Sequence, residues 1–142
     1  ICSFTSDIYR IADMLRSQND IRVISVKDYM RHPKESGYKS YHMLVTVPVF
    51  LSDRIVDVKV EIQIRTVAMD FWASLEHKVR YKKNIPADET ERLAQELSEC
   101  AQISADLDQR MQNIRTRLAD AELQHPQKQK KDEQILLDVL GL

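Results

Sequence analysis

Between Val56 and Arg65 the chain alternates branched apolar and polar side chains almost without interruption, VDVKVEIQIR. In an extended strand successive side chains point to opposite faces. Val56, Val58, Val60, Ile62 and Ile64 therefore share one face, and Asp57, Lys59, Glu61, Gln63 and Arg65 the other. The apolar row reads as an anchor in a core. The polar row has two readings: the solvated face of an antiparallel sheet, the commonest origin of such a pattern, or a catalytic row in which a carboxylate is flanked by cations and an amide. The rest of the chain decides between them.

Upstream, Thr5-Ser6-Asp7 offers capping side chains to a helix whose apolar positions are Ile8, Ile11, Ala12 and Leu15, ending near Asn19-Asp20. Ile21 to Val26 reads as a strand, Lys27 to Lys39 as a polar loop with Pro33 and Gly37, and Tyr41 to Phe50 as a second strand. Pro48 predicts an edge position for that strand, or its end. The short connection Leu51-Ser52-Asp53-Arg54 predicts a hairpin with a third strand, Ile55 to Arg65. A helix from Thr66 to about Lys82 carries Ala68, Trp72, Leu75 and Val79 on one stripe, and Pro86 marks a boundary. From Asp88 to about Leu123, Leu93, Leu97, Cys100, Ser104, Leu107, Met111, Ile114, Leu118 and Ala121 recur in steps of four and three. That is a heptad seam, and its narrowness between charged flanks favours packing against a partner helix over packing on its own domain. His125 to Asp132 is a basic linker, and Gln134 to Leu142 a short apolar tail. The organisation expected is thus a core over residues 1–86, a long helix over 87–124, and a linker and tail over 125–142.

Composition narrows the function classes. At 142 residues, 43% hydrophobic, 30% charged and a net charge of −1, the chain has no global pull toward nucleic acid or anionic membranes. No apolar run approaches the ~20 residues that span a bilayer, and the N-terminus lacks the pattern of a secretion signal. Cys2 and Cys100 are far apart with no metal-ligand spacing, so they read as small apolar residues in a reducing cytoplasm. Two glycines only, Gly37 and Gly141, exclude a glycine-rich phosphate loop, so phosphates would have to be handled by side chains and a metal. The abrupt start Ile1-Cys2-Ser3-Phe4 resembles the end of a strand entering a helix, and the chain reads as part of something longer.

Three segments can carry chemistry: the loop KESGYKSYH (residues 34–42), the polar row of the third strand, and the helix start TVAMDFWASLEHKVRYK. Taken singly each is ordinary. His42 at a strand start reads as a hydrogen-bonded structural histidine, Phe71 and Trp72 as core, and Lys78, Arg80, Lys82 and Lys83 as a solvated face. In a hairpin they converge. Tyr38, Ser40 and His42 share one parity, next to Glu61, Gln63 and Arg65 on the neighbouring strand. An aromatic for stacking a base, cations for phosphates and a carboxylate for a metal or proton make the mixture that a nucleotide site needs. Lys59 and Arg65, two and four residues from Glu61, should favour its ionised form.

GYKSYH, followed by VEIQIRT and AMDFWASLEHKVRYK, resembles the synthetase domain of RelA/SpoT-type (p)ppGpp synthetases over about Ile8 to Lys83. The long helix after it looks like that of the small, single-domain alarmone synthetases. The resemblance implies an α/β (α+β) fold, a nucleotidyltransferase-like mixed sheet flanked by helices with a long C-terminal helical extension. It implies a cytoplasmic GTP pyrophosphokinase of the stringent response, which moves the pyrophosphoryl group of ATP to the 3′-hydroxyl of GDP or GTP with Mg2+. By the same resemblance Tyr38 stacks on guanine, and Glu61 is the catalytic glutamate, as base or as magnesium ligand. Gln63 and His42 line the acceptor site, Lys34 and Lys39 meet acceptor phosphates, and Asp70 lies near the guanine edge. Arg65 contacts nucleotide or orients Glu61.

The family's other magnesium carboxylate belongs to a D-x-x-G-x-R segment that these 142 residues do not contain. The resemblance places it, with the basic residues for ATP, upstream of Ile1, so the chain by itself is expected to be inactive. The small synthetases also imply a homo-oligomer, often a tetramer, built through the C-terminal helix. The rival class is a non-catalytic module binding guanine nucleotide, or RNA through HKVRYKK; a relative acting on adenosine nucleotides or tRNA is a further alternative. Retention of Tyr38, Glu61 and Gln63 together favours the enzyme.

Overall fold

The computed structural model describes residues 1–80 and 86–124. Their order is α1 (Thr5–Arg16), β1 (Arg22–Asp28), β2 (Tyr41–Phe50), β3 (Ile55–Ile64), α2 (Val67–Arg80) and α3 (Ala87–Gln124). The chain divides into two compact units, Ile1–Gln109 and Arg110–Leu142. The expected linker and tail from His125 onward, and Lys82 and Lys83, lie outside the described residues.

The first unit is built on a three-stranded antiparallel sheet in the order β1-β2-β3. Among the described residues its one parallel element is a bridge in which the Cys2 N–H donates to the Arg65 carbonyl over 2.8 Å and the Val67 N–H to the Cys2 carbonyl over 3.2 Å. The α/β class with helices on the sheet and a long C-terminal helix is the one expected from sequence. Pro48 lies in the central strand. It is tolerated because β1 pairs with β2 only as far as Thr46, so at Pro48 the strand has no β1 neighbour to lose. A register shift between Val23 and Ser25 inserts Ile24 as an extra residue in β1.

The hairpin is set by the Leu51 N–H donating to the Arg54 carbonyl over 2.8 Å, followed by ten successive β2–β3 pairs from Phe50↔Ile55 to Tyr41↔Ile64. One face carries Tyr41, Met43 and Val45, all buried, opposite Ile64, Ile62 and Val60. Ile8 and Ala12 of α1 join these three with Cys2, Ile64 and Met69 in the main core. The apolar row of β3 is less of an anchor than its pattern predicts. Ile64 is buried and Ile62 half-buried, but Val58 and Val60 are 39% and 37% exposed. The core residues supplied by α1, Cys2 and Met69 gather at the Ile64 end of the strand, and alternation reports which side chains share a face, not how far that face is covered.

Other local readings need correction. The N-cap of α1 is Phe4 in extended conformation, with no side-chain cap hydrogen bond, rather than one of Thr5-Ser6-Asp7. The buried stripe of α2 is Met69, Trp72 and Ala73, with Leu75 exposed; it turns toward the loop before β2. Cys2 is a core residue, whereas Cys100 is exposed, and both are free thiols.

The first part of α3 packs on its own unit. Leu97 and Ala101 lie against a second cluster of Tyr38, Trp72, Ala73 and Tyr29, and Asp108 is buried. The inward face therefore runs Leu97, Ala101, Ser104 and Asp108 rather than Leu97, Cys100, Ser104 and Leu107. Its eleven-residue recurrence is close to three turns of a straight helix, from which a seven-residue repeat drifts by about 20° per heptad. In the second unit Met111, Ile114 and Leu118 are exposed.

Met43 is fully buried and Val58 is not. Met43→Ala should therefore cost about 2–5 kcal/mol of folding stability, and Val58→Ala no more than about 1 kcal/mol. Urea titration of both variants checks the order.

Candidate functional site

The β2–β3 register sets His42 opposite Gln63 and Leu44 opposite Glu61, and β1 sets Lys27 on the far side of His42. His42, Glu61, Gln63 and Lys27 thereby share the face away from the main core. The loop before β2 brings Tyr38 to the same place. Asp28 starts that loop by accepting the N–H groups of Met30 and Arg31 on its side chain, both at 3.0 Å. The Gly37 N–H closes a tight turn onto the Lys34 carbonyl at 2.8 Å. Gly37 has φ +88°, a conformation that a side chain disfavours.

Five side chains form a closed ring of hydrogen bonds. Arg65 donates to the Tyr38 hydroxyl (3.0 Å) and to the Gln63 carbonyl oxygen. The Tyr38 hydroxyl meets His42 Nε2 at 2.8 Å. His42 Nδ1 lies 3.2 Å from Glu61 Oε1, and Gln63 Nε2 donates to the same oxygen at 2.7 Å. Asp70 joins from the first turn of α2, its Oδ1 3.3 Å from Arg65 Nη1. Tyr38, His42, Glu61, Gln63, Arg65 and Asp70 are thus brought together.

Lys34 joins them differently. Its ammonium lies 4.7 Å from the Tyr38 ring centre and 5.0 Å from that of Tyr29, and the Arg65 guanidinium lies 5.6 Å from the Tyr38 ring centre. These are cation–π distances.

Two expectations fail. Ser40, of the right parity, is fully buried and donates to the Ile64 carbonyl at 3.3 Å; it ties β2 to β3 and does not face the site. Lys39 is not with the others but lines a gap beside α3 together with Asp108. Its odd position between Tyr38 and Ser40 already points it away from them. Tyr29, which sequence reasoning missed, packs edge-on against both Tyr38 (5.8 Å) and His42 (5.1 Å). A signal for it existed: it lies one residue past the end of β1 and two positions after Lys27, the residue paired with His42.

The electrostatics follow from these contacts. The hydrogen bond from Gln63 holds the Glu61 carboxyl below its ordinary range; burial opposes it, and His42 and Lys27 add to the lowering. Lys59 and Arg65 are not the cause. Arg65 is occupied with Gln63, Tyr38 and Asp70, so the lowering comes first from an amide and not from Lys59 or Arg65. Burial lowers the His42 pKa; Glu61 opposes this, and Arg65, Lys34 and Lys27 reinforce it. A neutral His42 with its proton on Nδ1 fits the ring: it donates to Glu61 and accepts from Tyr38. Ser36 Oγ is buried with no hydrogen-bond partner, at a cost of about 1–3 kcal/mol.

The cavity beside Gly37, Trp72 and Ala101 is only about 10 Å3, room for a water and not for a ligand. A ligand must instead use the open face around Glu61, whose side chain is 52% exposed. Among the described residues, no group of three or more His, Cys, Asp or Glu side chains could hold a metal ion, and no helix is long and apolar enough to cross a membrane.

A family model described as the region found in RelA / SpoT proteins matches residues 1–86. GTP pyrophosphokinase YwaC of Bacillus subtilis (strain 168) is 50% identical over 115 residues, which cover 81% of this chain and 54% of that protein. The crystal structure of small alarmone synthetase 2 from Bacillus subtilis superposes with a TM-score of 0.76 at 48% identity, covering 82% of this chain and 62% of that one. The structure of small alarmone synthetase 1 from the same organism, bound to its product pppGpp, gives a TM-score of 0.74 at 39% identity over 83% of this chain and 59% of that one. This chain spans about half the length of the curated relative, 54%.

Because the folded-state pKa of His42 is depressed, the folded protein binds fewer protons than the unfolded chain near pH 6. The His42 contribution to stability should be complete above about pH 6.5, the usual histidine value, and be lost progressively as pH falls below it. Thermal melts between pH 7.5 and 5 should show this loss, and His42→Gln should flatten it.

Proposed function

We propose a function on the premise that this chain belongs to the RelA/SpoT family: the polar face of β3 and the loop before β2 form the guanine-nucleotide acceptor site of a GTP pyrophosphokinase. The reaction is transfer of the pyrophosphoryl group of ATP to the 3′-hydroxyl of GDP or GTP, giving (p)ppGpp. One observation carries the reading, namely the ring that places an ionised Glu61 beside an aromatic platform and two cations.

Each side chain has a role that its contacts support. Tyr38 is the platform for guanine, with its hydroxyl fixed by Arg65 and His42. The Lys34 ammonium lies over that ring, within reach of the phosphates of a nucleotide whose base stacks on Tyr38. Asp70, paired with Arg65, borders the base. Lys39 lies beside α3 and is assigned no part in phosphate binding. Glu61 accepts both of its ring bonds on Oε1, so Oε2 is the oxygen it presents to the 3′-hydroxyl or to a metal. As a half-exposed hard oxygen donor it fits Mg2+ as one ligand among nucleotide phosphates. When bound, the ion would neutralise charge on the transferring group. The remaining catalytic power is positional, as phosphoryl-type transfer demands.

The exposed seam of the second unit supports self-association of this chain, for which the family resemblance suggests a tetramer. Met111, Ile114 and Leu118 are exposed on α3 at the three-and-four spacing of a coiled-coil seam. Replacing Ile114 and Leu118 by Glu should lower the mass measured by light scattering to that of a smaller assembly; an unchanged mass overturns the assignment.

Glu61→Gln keeps the shape of the ring and removes the charge. In the full-length protein, incubated with ATP, Mg2+ and GDP or GTP, it should slow AMP release by about a hundredfold or more while GDP affinity stays within about threefold. Normal turnover by the variant excludes Glu61 from the chemistry. Absence of AMP from the parent with either acceptor, despite GDP binding, would make the site a binding module.

A further inference from the structure

Three contacts from one face of α3 end beside the ring rather than on it. The Trp72 indole N–H donates to the Leu97 carbonyl over 2.7 Å. A Cβ placed on Gly37 would lie 2.5 Å from Ala101 Cβ, so the loop backbone rests directly on the helix. The Thr66 hydroxyl donates to Asp108 Oδ2 over 2.6 Å. Leu97, Ala101 and Asp108 are spaced four and seven apart and so share a helix face. What they touch is consistent: Gly37 precedes Tyr38, Thr66 follows Arg65, and the Trp72 ring lies 6.4 Å from that of Tyr38.

Asp108 is the informative member. Only 6% of it is exposed, and an apolar side chain would hold two elements together there at lower cost. Its carboxylate is set at the N-terminus of α2, the positive end of that helix. Thr66 transmits the contact: its hydroxyl donates to Asp108 and accepts the Met69 N–H at 3.2 Å, while its carbonyl accepts the Asp70 N–H at 3.0 Å. The first turn of α2, which carries Asp70 against Arg65, is thereby referenced to α3.

We infer that the inward face of α3, through Asp108 and Ala101, is a positioning element for the acceptor site, fixing the Tyr38 ring and the Arg65 guanidinium in register with each other. Neither residue touches the ring; each acts through a neighbour, Asp108 through Thr66 and Ala101 through Gly37. The inference rests on the reading of Tyr38 as the guanine platform. It makes the long helix part of substrate recognition as well as a surface for assembly.

Trp72 is the sole tryptophan and packs against Tyr38, so its fluorescence reports GDP binding directly. Asp108→Leu should weaken GDP binding at least fivefold while the melting temperature is unchanged or raised. Asp108→Asn, which still offers Thr66 an acceptor oxygen, should bind within twofold of the parent. A merely structural Asp108 predicts a lowered melting temperature with unchanged affinity, and GDP binding by Asp108→Leu within twofold of the parent overturns the inference. If Asp108→Leu shows no folding transition, Ala101→Val, which presses on Gly37, is judged by the same fivefold and twofold limits. Failure of the parent itself to bind GDP overturns the guanine reading of the site, an outcome distinct from a parent that binds and a variant that binds equally well.

Discussion

The site depends on the register of β2 against β3. Because side chains alternate with a period of two, a slip of one residue would turn Val60 and Ile62 onto the polar face and drive Glu61 and Gln63 toward Ile8 and Met69. The register is held from both ends. At the hairpin, the Leu51–Arg54 hydrogen bond sets where pairing begins; at the other end, Ser40 reaches the Ile64 carbonyl from full burial. Between them, burial of Tyr41, Met43 and Val45 penalises any other alignment. The apolar face of the hairpin is therefore the reason that its polar face has a defined geometry.

The loop before β2 adds what a strand cannot, an aromatic ring placed edgewise over the sheet's end. Its geometry carries local costs: a positive φ at Gly37 and an unpartnered hydroxyl at Ser36. They are offset by packing of Tyr38 against Trp72 and Tyr29 and by two cations over the Tyr38 ring. The polar groups of the site are thus satisfied by its own side chains.

Much of this was legible in the sequence because it is local. The strand limits of β2, the hairpin, and the gathering of Tyr38, His42, Glu61, Gln63 and Arg65 follow from period-two alternation and one short turn, and the burial of Ile8 and Ala12 follows from helical spacing. What was not legible depends on which neighbour covers a face. Val58 and Val60 alternate as regularly as Ile62 and Ile64, yet remain more exposed. The seam of α3 was read as one heptad stripe, but the helix packs on its own unit through Ala101 and Asp108, residues that apolar patterning discounts as too small or too polar. Ser40 was drawn toward the site by parity, when a small buried hydroxyl more cheaply satisfies a carbonyl of the next strand. Lys39 carries the residue type of a phosphate ligand but lines the gap beside α3.

The order of residue types along β3 has a physical logic that alternation alone does not supply. Glu61 can only accept hydrogen bonds, Gln63 can accept and donate, and Arg65 can only donate. Laid on one face, they make a chain with one direction, from guanidinium through amide to carboxylate. Tyr38 and His42 form a second chain in the same direction, since a hydroxyl and a neutral imidazole each pass on one bond for the one they receive. Both chains start at Arg65 and end on the same oxygen of Glu61. A protonated His42 would have no lone pair for the Tyr38 hydroxyl and would break the second chain, so burial, which keeps the imidazole neutral against the pull of the carboxylate, is a condition of the ring and not a side effect of it. Arg65 feeds both chains without accepting, and Gln63, Tyr38 and His42 each pass on the bond they receive, so Glu61 is the group in the ring that retains an oxygen for a substrate, and its position at the end of both chains follows from its being unable to donate.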